Sequence, residues 1–219
     1  SVFFGGFFIH SLVSVILFLF IPPQITTKIS PAFKNWSWRD QLKAIALFRR
    51  QGYHRTSMAD LAQEVGLLKG SFYHYFESKE ALMEAVLVHV QDALNRRVFP
   101  LAYQEELTPF ERLDKMLRRL GKNLFTGEGG CIVGNTTLET SLLVPEFRTI
   151  LQQIFESWIQ AQTHLYAYVY SPDQAKQLAE QTVMEFEGAI MFSKLYNDTR
   201  YITTCFERAL DRMNASKTE

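Results

Sequence analysis

The stretch TSMADLAQEVGLLKGSFYHYFESKEAL, residues 56–82, decides the fold of this chain. It holds two short helical patterns separated by a tight turn at Gly66, and Ser57 and Ser78 stand where helix N-caps are expected. An apolar helical face within residues 38–51 predicts a preceding helix that supports the pair. Three helices in this order are typical of a helix-turn-helix, whose second short helix enters the major groove of DNA.

The second short helix carries five consecutive ring-bearing side chains, from Phe72 to Phe76. Phe72 and Phe76 are four residues apart and share one face, so we expect them to dock the helix on its own protein. Tyr73 and His74 then point outward, where a tyrosine ring packs and its hydroxyl reaches a phosphate. Tyr75 lies between the two faces and suits either. A three-helix structural bundle that binds no DNA would satisfy the same pattern, so both interpretations stay open.

Helical patterns continue to the end of the chain, without an alternating strand pattern or an internal repeat. Pro109 and Pro145 suit first helical turns, and the glycines at 127, 129 and 130 mark a flexible break. The predicted fold is all-α, with a three-helix head and a larger helical body that together make about nine helices. The predicted helices cover residues 38–51, 58–65, 69–76, 79–98, 109–125, 131–143, 145–170, 173–196 and 199–214.

The formal net charge is zero and names no partner by itself. Residues 34–97 hold 10 basic and 7 acidic side chains, a net +3, whereas residues 98–219 hold 12 basic and 16 acidic ones, a net −4. A basic N-terminal half is compatible with nucleic-acid contact. Two cysteines, Cys131 and Cys205, form no disulfide framework and favour a reducing cytoplasm as the location.

Residues 1–21, SVFFGGFFIHSLVSVILFLFI, contain no charged side chain and are long enough to cross a bilayer as a helix. Three interpretations stay open: a membrane anchor, a peptide from outside the native protein, or a helix that packs on the rest. In an anchor, the basic residues Lys28, Lys34 and Arg39 would leave the remainder on the cytoplasmic side of the inner membrane. The alternative function is therefore a membrane-tethered interaction protein whose helix-turn-helix is a structural bundle.

Motifs of enzymes and metal sites are missing from the sequence. We find no glycine-rich phosphate loop, nucleophile elbow or paired-carboxylate signature, and the five histidines are not spaced as zinc ligands. The sequence therefore predicts a protein that is not an enzyme and that needs no metal and no cofactor.

The run LFRRQGYHRTSMADLAQEVGLLKGSFYHYFESKEALMEAVL, residues 47–87, resembles the DNA-binding head of TetR-family transcriptional regulators. The resemblance implies domains at 1–34 (apolar segment and linker), 35–86 (DNA binding) and 87–219 (ligand binding and dimerisation). It also implies a homodimer that represses transcription from a palindromic operator until a small effector binds. The basic arm of the family is reduced here to Lys34 and Arg39, so the sequence departs from the family pattern at the minor-groove arm. The implied DNA-contacting residues are Thr56, Ser57, Lys69, Gly70, Tyr73, His74, Tyr75 and Lys79.

The segment GGCIVGNTTLET, residues 129–140, resembles the NemR-type subgroup, whose members respond to electrophiles and oxidants. That resemblance assigns redox sensing to Cys131, with Lys194 as its partner. A cysteine at a helix N-terminus also lies in a positive field, which lowers the thiol pKa and favours the thiolate. Two other roles stay open: Cys131 fills space as a small buried residue, and the effector is a neutral hydrophobic ligand. Cys205 suits the core or an interface.

Aromatic and methionine residues of the middle helices are the candidates for a ligand pocket, although most would also suit a plain core. These candidates are Met116, Phe125, Phe155, Trp158, Tyr166, Phe186 and Phe192. The last two helices are expected to form a four-helix bundle across the two-fold axis of the dimer. Their predicted apolar faces include Leu178, Val183, Phe186, Ile190, Leu195, Ile202, Phe206, Leu210 and Met213.

Overall fold

The computed structural model describes residues 36–125 and 129–214. These residues form nine α-helices and one short 3₁₀ helix, Phe99–Tyr103, with no strand among them, which confirms the all-α prediction. The expectations for residues 1–34 lie outside the described residues. The helices are α1 (Trp38–Gln51), α2 (Met58–Val65), α3 (Lys69–Tyr75), α4 (Lys79–Arg97), α5 (Pro109–Phe125), α6 (Ile132–Thr140), α7 (Pro145–Tyr166), α8 (Pro172–Tyr196) and α9 (Arg200–Asn214).

Serine side chains start three of the four N-terminal helices. The Ser37, Ser57 and Ser78 hydroxyls accept the backbone N–H of the residue three positions on, at 3.1–3.2 Å. Each bond satisfies one of the N–H groups that a helix leaves without a partner in its first turn. Gly66 ends α2 in the left-handed conformation at φ +78°, which gives the tight turn that the sequence predicts.

Two helix ends differ from the prediction by more than one residue. Helix α7 stops at Tyr166, not at residue 170, because the chain must turn before Pro172 and Ser171 already has an extended backbone. Helix α6 spans Ile132–Thr140, with Cys131 as its N-cap, and residues 141–143 form a turn.

The buried side chains form two hydrophobic cores. The first joins the head to α6 and to the first half of α7, ending at Ile154. The second joins the 3₁₀ helix, α5, the second half of α7, α8 and α9. Leu94, Cys131 and Phe155 pack against both cores, and we call the boundary that they mark the seam. The division of 35–86 from 87–219 stays a prediction, and the packing adds that the head shares its core with α6 and α7.

Within the two described ranges, no helix combines the length and the apolar character that a membrane crossing requires. The predicted span at residues 1–21 lies outside those ranges.

Candidate DNA-binding surface and effector region

Helix α3 is docked on the head by its two phenylalanines, as predicted. Phe72 is completely buried and Phe76 nearly so. Their ring centroids lie 5.4 and 5.0 Å from that of Trp36. Helix α3 therefore has a fixed inner face, and its orientation on the head is set by ring packing.

The other face of α3 is open. Lys69, Gly70 and His74 are exposed, and the Tyr73 side chain is 44% exposed. A Cβ atom added to Gly70 would meet nothing within 4 Å, so the backbone there is accessible to a large partner. Tyr75 takes part in both faces: it is 38% exposed, and its ring centroid lies 6.3 Å from that of Trp36 in an edge-to-face arrangement.

Ser57 stands at the start of α2 in a capping box. Its hydroxyl accepts the Asp60 N–H at 3.1 Å, and its own N–H donates to the Asp60 carboxylate at 2.8 Å. The Ser57 hydroxyl also donates to this carboxylate at 2.7 Å, and the hydrogen bonds from the Ser57 hydroxyl and N–H lower the pKa of Asp60. Ser57 is exposed beside α3, so its position suits a phosphate contact even though its hydroxyl is already engaged.

Two of the predicted DNA-contacting residues have side chains that are engaged within the head. Thr56 is 1% exposed, and its hydroxyl donates to the Gly52 carbonyl at 2.6 Å, so this side chain does not reach a phosphate. The Lys79 ammonium donates to the Tyr53 carbonyl at 2.9 Å and lies 4.3 Å from the Tyr53 ring centroid. Both side chains contact the end of α1 or the turn that follows it. Such tertiary contacts cannot be predicted from the position of a residue in the sequence.

Helix α6 connects the head to the body. His54, in the turn after α1, donates its N–H to the Glu139 carboxylate at 3.0 Å, and its ring Nε2 lies 2.9 Å from the Glu139 carbonyl. At the other end of α6, the Arg49 Nε donates to the Gly130 carbonyl at 2.7 Å. The loop before α6 and the last turn of α6 are therefore both hydrogen-bonded to the head.

Cys131 lies at the N-terminus of α6, but its environment disfavours the thiolate. Its Sγ accepts the Gly134 N–H at 3.4 Å and so caps the helix. Burial and the neighbouring Glu187 carboxylate nevertheless raise the thiol pKa, opposite to the predicted direction. Lys194 is exposed, and only its side-chain stem approaches the loop at Gly130. The predicted low-pKa thiol is therefore wrong for this conformation.

The predicted pocket residues fall into three groups. Four of them are buried in the second core: Met116, Trp158, Tyr166 and Phe186. Phe155 lies at the seam, whereas Phe192 is 40% exposed on α8 and lines an open groove between α8 and α9. The side chain of Phe125 lies outside what the structure describes.

Helices α8 and α9 present an apolar surface to solvent. Met184, Met191 and Leu195 form an exposed stripe along α8, with exposed fractions of 55–70%. A groove of about 590 Å³ lies beside the stripe, between Gly188 on α8 and Arg208 on α9. Most of the predicted dimer residues turn inward instead, because they complete the core within one chain. The inward residues are Val183, Phe186, Ile190, Ile202 and Met213, and Leu178, Phe206 and Leu210 are half-buried.

Among residues 36–125 and 129–214, no group of three His, Cys, Asp or Glu side chains is placed to hold a metal ion.

A docked α3 with an open outer face, carried on a three-helix head above a helical body, defines a helix-turn-helix transcriptional regulator. Residues 43–86 match the family model described as bacterial regulatory proteins, tetR family. Residues 109–208 match the C-terminal domain of LmrA/YxaF-like transcriptional regulators. The chain belongs to the TetR family and is a DNA-binding transcriptional regulator.

Regulators from two other bacteria are similar to this chain in sequence over most of its length. The chain is 29% identical over 181 residues to the HTH-type transcriptional repressor DhaR of Mycobacterium sp. (strain GP1), covering 77% of this chain and 89% of that one. It is 27% identical over 158 residues to the HTH-type transcriptional regulator YxaF of Bacillus subtilis (strain 168), covering 71% and 83%.

Solved structures share the fold at lower identity. A TetR regulator from Legionella pneumophila matches with a TM-score of 0.73 at 22% identity, over 80% of this chain and 97% of that one. The regulator CifR, solved as a cysteine mutant with a 26-base-pair operator DNA, matches at 0.64 and 19% identity, over 78% and 93%. Escherichia coli NemR in its reduced form matches at 0.63 and 20%, over 78% and 95%, a likeness of fold alone.

Proposed function

We propose that this regulator is a homodimeric repressor that binds a palindromic operator through α3 and releases it when a small molecule binds the body. The open outer face of α3 carries the proposal. Lys69, Gly70, Tyr73 and His74 are exposed on a helix whose opposite face is fixed by buried rings. Side chains on such a face reach base edges, and Ser57 and Tyr75 beside it suit phosphates. DNA binding would place the protein in the cytoplasm with the chromosome.

A dimer is supported by the apolar stripe on α8. Monomeric soluble proteins rarely expose a contiguous apolar surface of this kind, and two copies of the stripe related by a two-fold axis would cover each other. Asp198 and Arg208 border the groove beside it and supply polar contacts at the rim. A two-fold dimer presents two copies of α3, which is the arrangement that a palindromic site requires.

Ligand-induced release fits the interior of the body better than a thiol switch does. A thiol whose pKa is raised by burial is poorly nucleophilic at neutral pH, so Cys131 is not primed for electrophiles in this conformation. The second core and the seam instead bring Phe155, Trp158 and Phe186 together, which suits a small hydrophobic effector.

Fluorescence anisotropy with labelled DNA from the region upstream of the protein's own gene tests the proposal. We expect a complex whose affinity falls steeply with added salt, because bound basic side chains release counterions from the phosphates. Lys69→Ala should weaken binding to all sequences, and Tyr73→Phe or His74→Ala should alter sequence preference.

The matched control is Lys115→Ala, since Lys115 is an exposed lysine of the body that contacts Gln104. Its affinity for DNA should stay that of the unaltered protein. Absence of any complex at low salt, with and without reductant, would contradict the proposal.

A further inference from the structure

The Glu187 side chain is half-buried, and one of its two carboxylate oxygens has no hydrogen-bond partner among the described residues. Its Oε1 atom is buried and accepts no hydrogen bond from the described residues. The other side of the carboxylate faces the Gly134 backbone and the Cys131 thiol. Gly134 leaves the room that the carboxylate occupies, because a side chain at that position would collide with it. The site therefore holds a hydrogen-bond acceptor, Glu187 Oε1, for which the described residues provide no donor.

Among the described residues, Glu187 forms no ion pair with a basic side chain. Burial raises its pKa to about 6, and the only opposing influence is the Cys131 thiol. The carboxylate is thus still largely ionised at neutral pH. A buried carboxylate without a cation is costly, and a ligand that brings a cation would relieve that cost.

Two more buried polar groups lie on the neighbouring helix α7. The Trp158 indole N–H and the Gln162 side-chain amide are one turn apart, are 4% and 0% exposed, and have no hydrogen-bond partner among the described residues. The Gln162 amide lies beside the Tyr166 hydroxyl without the geometry of a hydrogen bond. The Trp158 ring is 4.7 Å from Phe186, the residue before Glu187.

The surroundings of these polar groups are aromatic. Phe155 packs at the seam, one turn before Trp158, and the Phe186 ring stacks on Phe206 at 5.4 Å. Aromatic faces beside a carboxylate favour an organic cation, since the ring quadrupole and the anion both attract positive charge. Trp158 and Gln162 would then bind a polar substituent at the other end of the same molecule.

We infer that the seam is the effector site, and that its ligand is a small aromatic or aliphatic amine whose ammonium group binds the Glu187 carboxylate. This inference rests on the proposed function, because it names the chemical class of the effector. The ligand would enter between the two cores, next to Cys131 and Phe155.

The position of Glu187 also explains how such a ligand would reach the DNA-binding head. Glu187 on α8 contacts the N-terminus of α6, and the C-terminal end of α6 holds His54 through Glu139. A ligand inserted beside Glu187 would move the start of α6 against α8. The hydrogen bonds at the far end would pass that movement to the turn between α1 and α2, and so to α3.

Isothermal titration calorimetry of the full chain without DNA tests the inference with two matched pairs of probes. Naphthylmethylamine is compared with naphthylmethanol, and octylamine with octanol. We expect at least one amine to bind about tenfold or more tightly than its alcohol, as a charge-assisted hydrogen bond requires. Glu187→Gln, which keeps the shape and removes the charge, should reduce that preference to about twofold or less.

Glu180→Gln is the matched control, because Glu180 lies on the same helix and pairs with Lys176 on the surface. Its amine preference should stay that of the unaltered protein. Circular dichroism and operator binding establish that Glu187→Gln is folded. Equal binding of amines and alcohols, absence of amine binding, or an unchanged preference in folded Glu187→Gln would overturn the inference.

Operator affinity is measured separately, so the two proposals fail separately. A protein that binds the operator but shows no Glu187-dependent amine preference keeps the proposed function and loses this inference. A protein that binds amines through Glu187 but forms no operator complex loses the proposed function.

Discussion

Cys131 and Glu187 occupy one small volume and determine each other's chemistry. The carboxylate raises the thiol pKa, and the thiol is the group that partly offsets the burial of the carboxylate. The helix N-terminus, which alone would favour the thiolate, is outweighed by burial and a neighbouring negative charge. At this scale, burial of the thiol and one carboxylate from α8 together keep the cysteine protonated.

Removing the charge of Glu187 should activate Cys131. In a Cys205→Ser background, we expect Cys131 to react slowly with iodoacetamide at neutral pH, with a rate that still rises above pH 9 because the raised pKa keeps the thiol protonated. Glu187→Gln should lower the thiol pKa and speed the reaction by about tenfold or more, as loss of an adjacent carboxylate implies. Intact-mass spectrometry follows the alkylation.

The control for that experiment is Glu180→Gln, which should leave the rate unchanged. A rate that is already fast at neutral pH and level above it would contradict the pKa direction and restore the thiol-switch hypothesis. Release of the operator by hypochlorite in the unaltered protein but not in Cys131→Ser would do the same.

Substitutions of two lysines in the head should have different effects, one on stability and the other on DNA affinity. Lys79→Met removes a hydrogen bond to the Tyr53 carbonyl and a contact with its ring, so we expect the free energy of unfolding to fall by about 1–2 kcal/mol. Lys69→Met changes an exposed residue and should alter stability by no more than about 0.5 kcal/mol while weakening DNA binding. Urea unfolding followed by circular dichroism measures the first effect, and equal stability of both variants would contradict it.

The directions of side chains on α3 could be read from sequence, because they follow from helical spacing alone. Phe72 and Phe76 are buried and Tyr73 is exposed, as the four-residue interval predicts. Thr56, Lys79 and Glu187 could not be placed this way, since their partners come from other elements. The sequence did indicate that Glu187 is unusual. It lies on α8 one turn from Val183 and one turn from Ile190, so a charged residue falls on the buried face of the helix.

Helix α6 is the element through which the head and body are joined. Only nine residues long, it contacts Glu187 of α8 at its start and His54 of the head near its end. A short helix held at both ends moves as one body, so displacement at one end must appear at the other. Sequence patterns located the helix but gave no indication that both ends are bound.

The hydrogen bonds between His54 and Glu139 should carry part of this coupling. We expect His54→Ala and Glu139→Ala each to lower the free energy of unfolding by about 0.5–1 kcal/mol, and the double variant to lose less than the sum. Effector binding should also change operator affinity less in either variant. A double-mutant cycle by urea unfolding, with exposed Glu156→Ala as control, tests the interaction, and strictly additive losses would contradict it.

Helix boundaries were predicted where proline, glycine or serine fixes the backbone. Pro109 and Pro145 begin helices α5 and α7, and Gly66 ends α2. The 3₁₀ helix at Phe99–Tyr103 and the early end of α7 were missed, because both depend on how the chain turns to pack on the second core. Local residue preferences carry no information about such turns.

At the scale of the whole molecule, the exposed stripe on α8 is the proposed contact between the two protomers of a dimer. Met191→Glu should convert the dimer to a monomer and reduce operator affinity by about a hundredfold or more, because a palindromic site is then bound by single heads. Multi-angle light scattering measures the mass, and anisotropy measures the affinity. The control is Leu142→Glu, a leucine in the turn after α6 that is 86% exposed.

A dimer that persists in Met191→Glu, or one that is lost equally in Leu142→Glu, would contradict the assignment of the stripe. The residues that the sequence predicted for dimerisation lie mostly on the inner faces of α8 and α9, whereas the stripe lies on the outer face of α8. Both faces of α8 are apolar, and periodicity alone does not show which one the remaining helices of the same chain will cover.

The packing around the seam also limits whether the head of this regulator can be exchanged for that of another. A graft that exchanged the head after residue 86 would separate the Tyr53 ring from Phe147, which lies 5.5 Å away on α7. It would also leave Ile132 and Val133 facing foreign side chains. A larger graft could not follow one continuous stretch of chain, because α5 intervenes. The head and body of this protein are therefore not interchangeable parts, and hybrids would need a matched surface on α6 and α7.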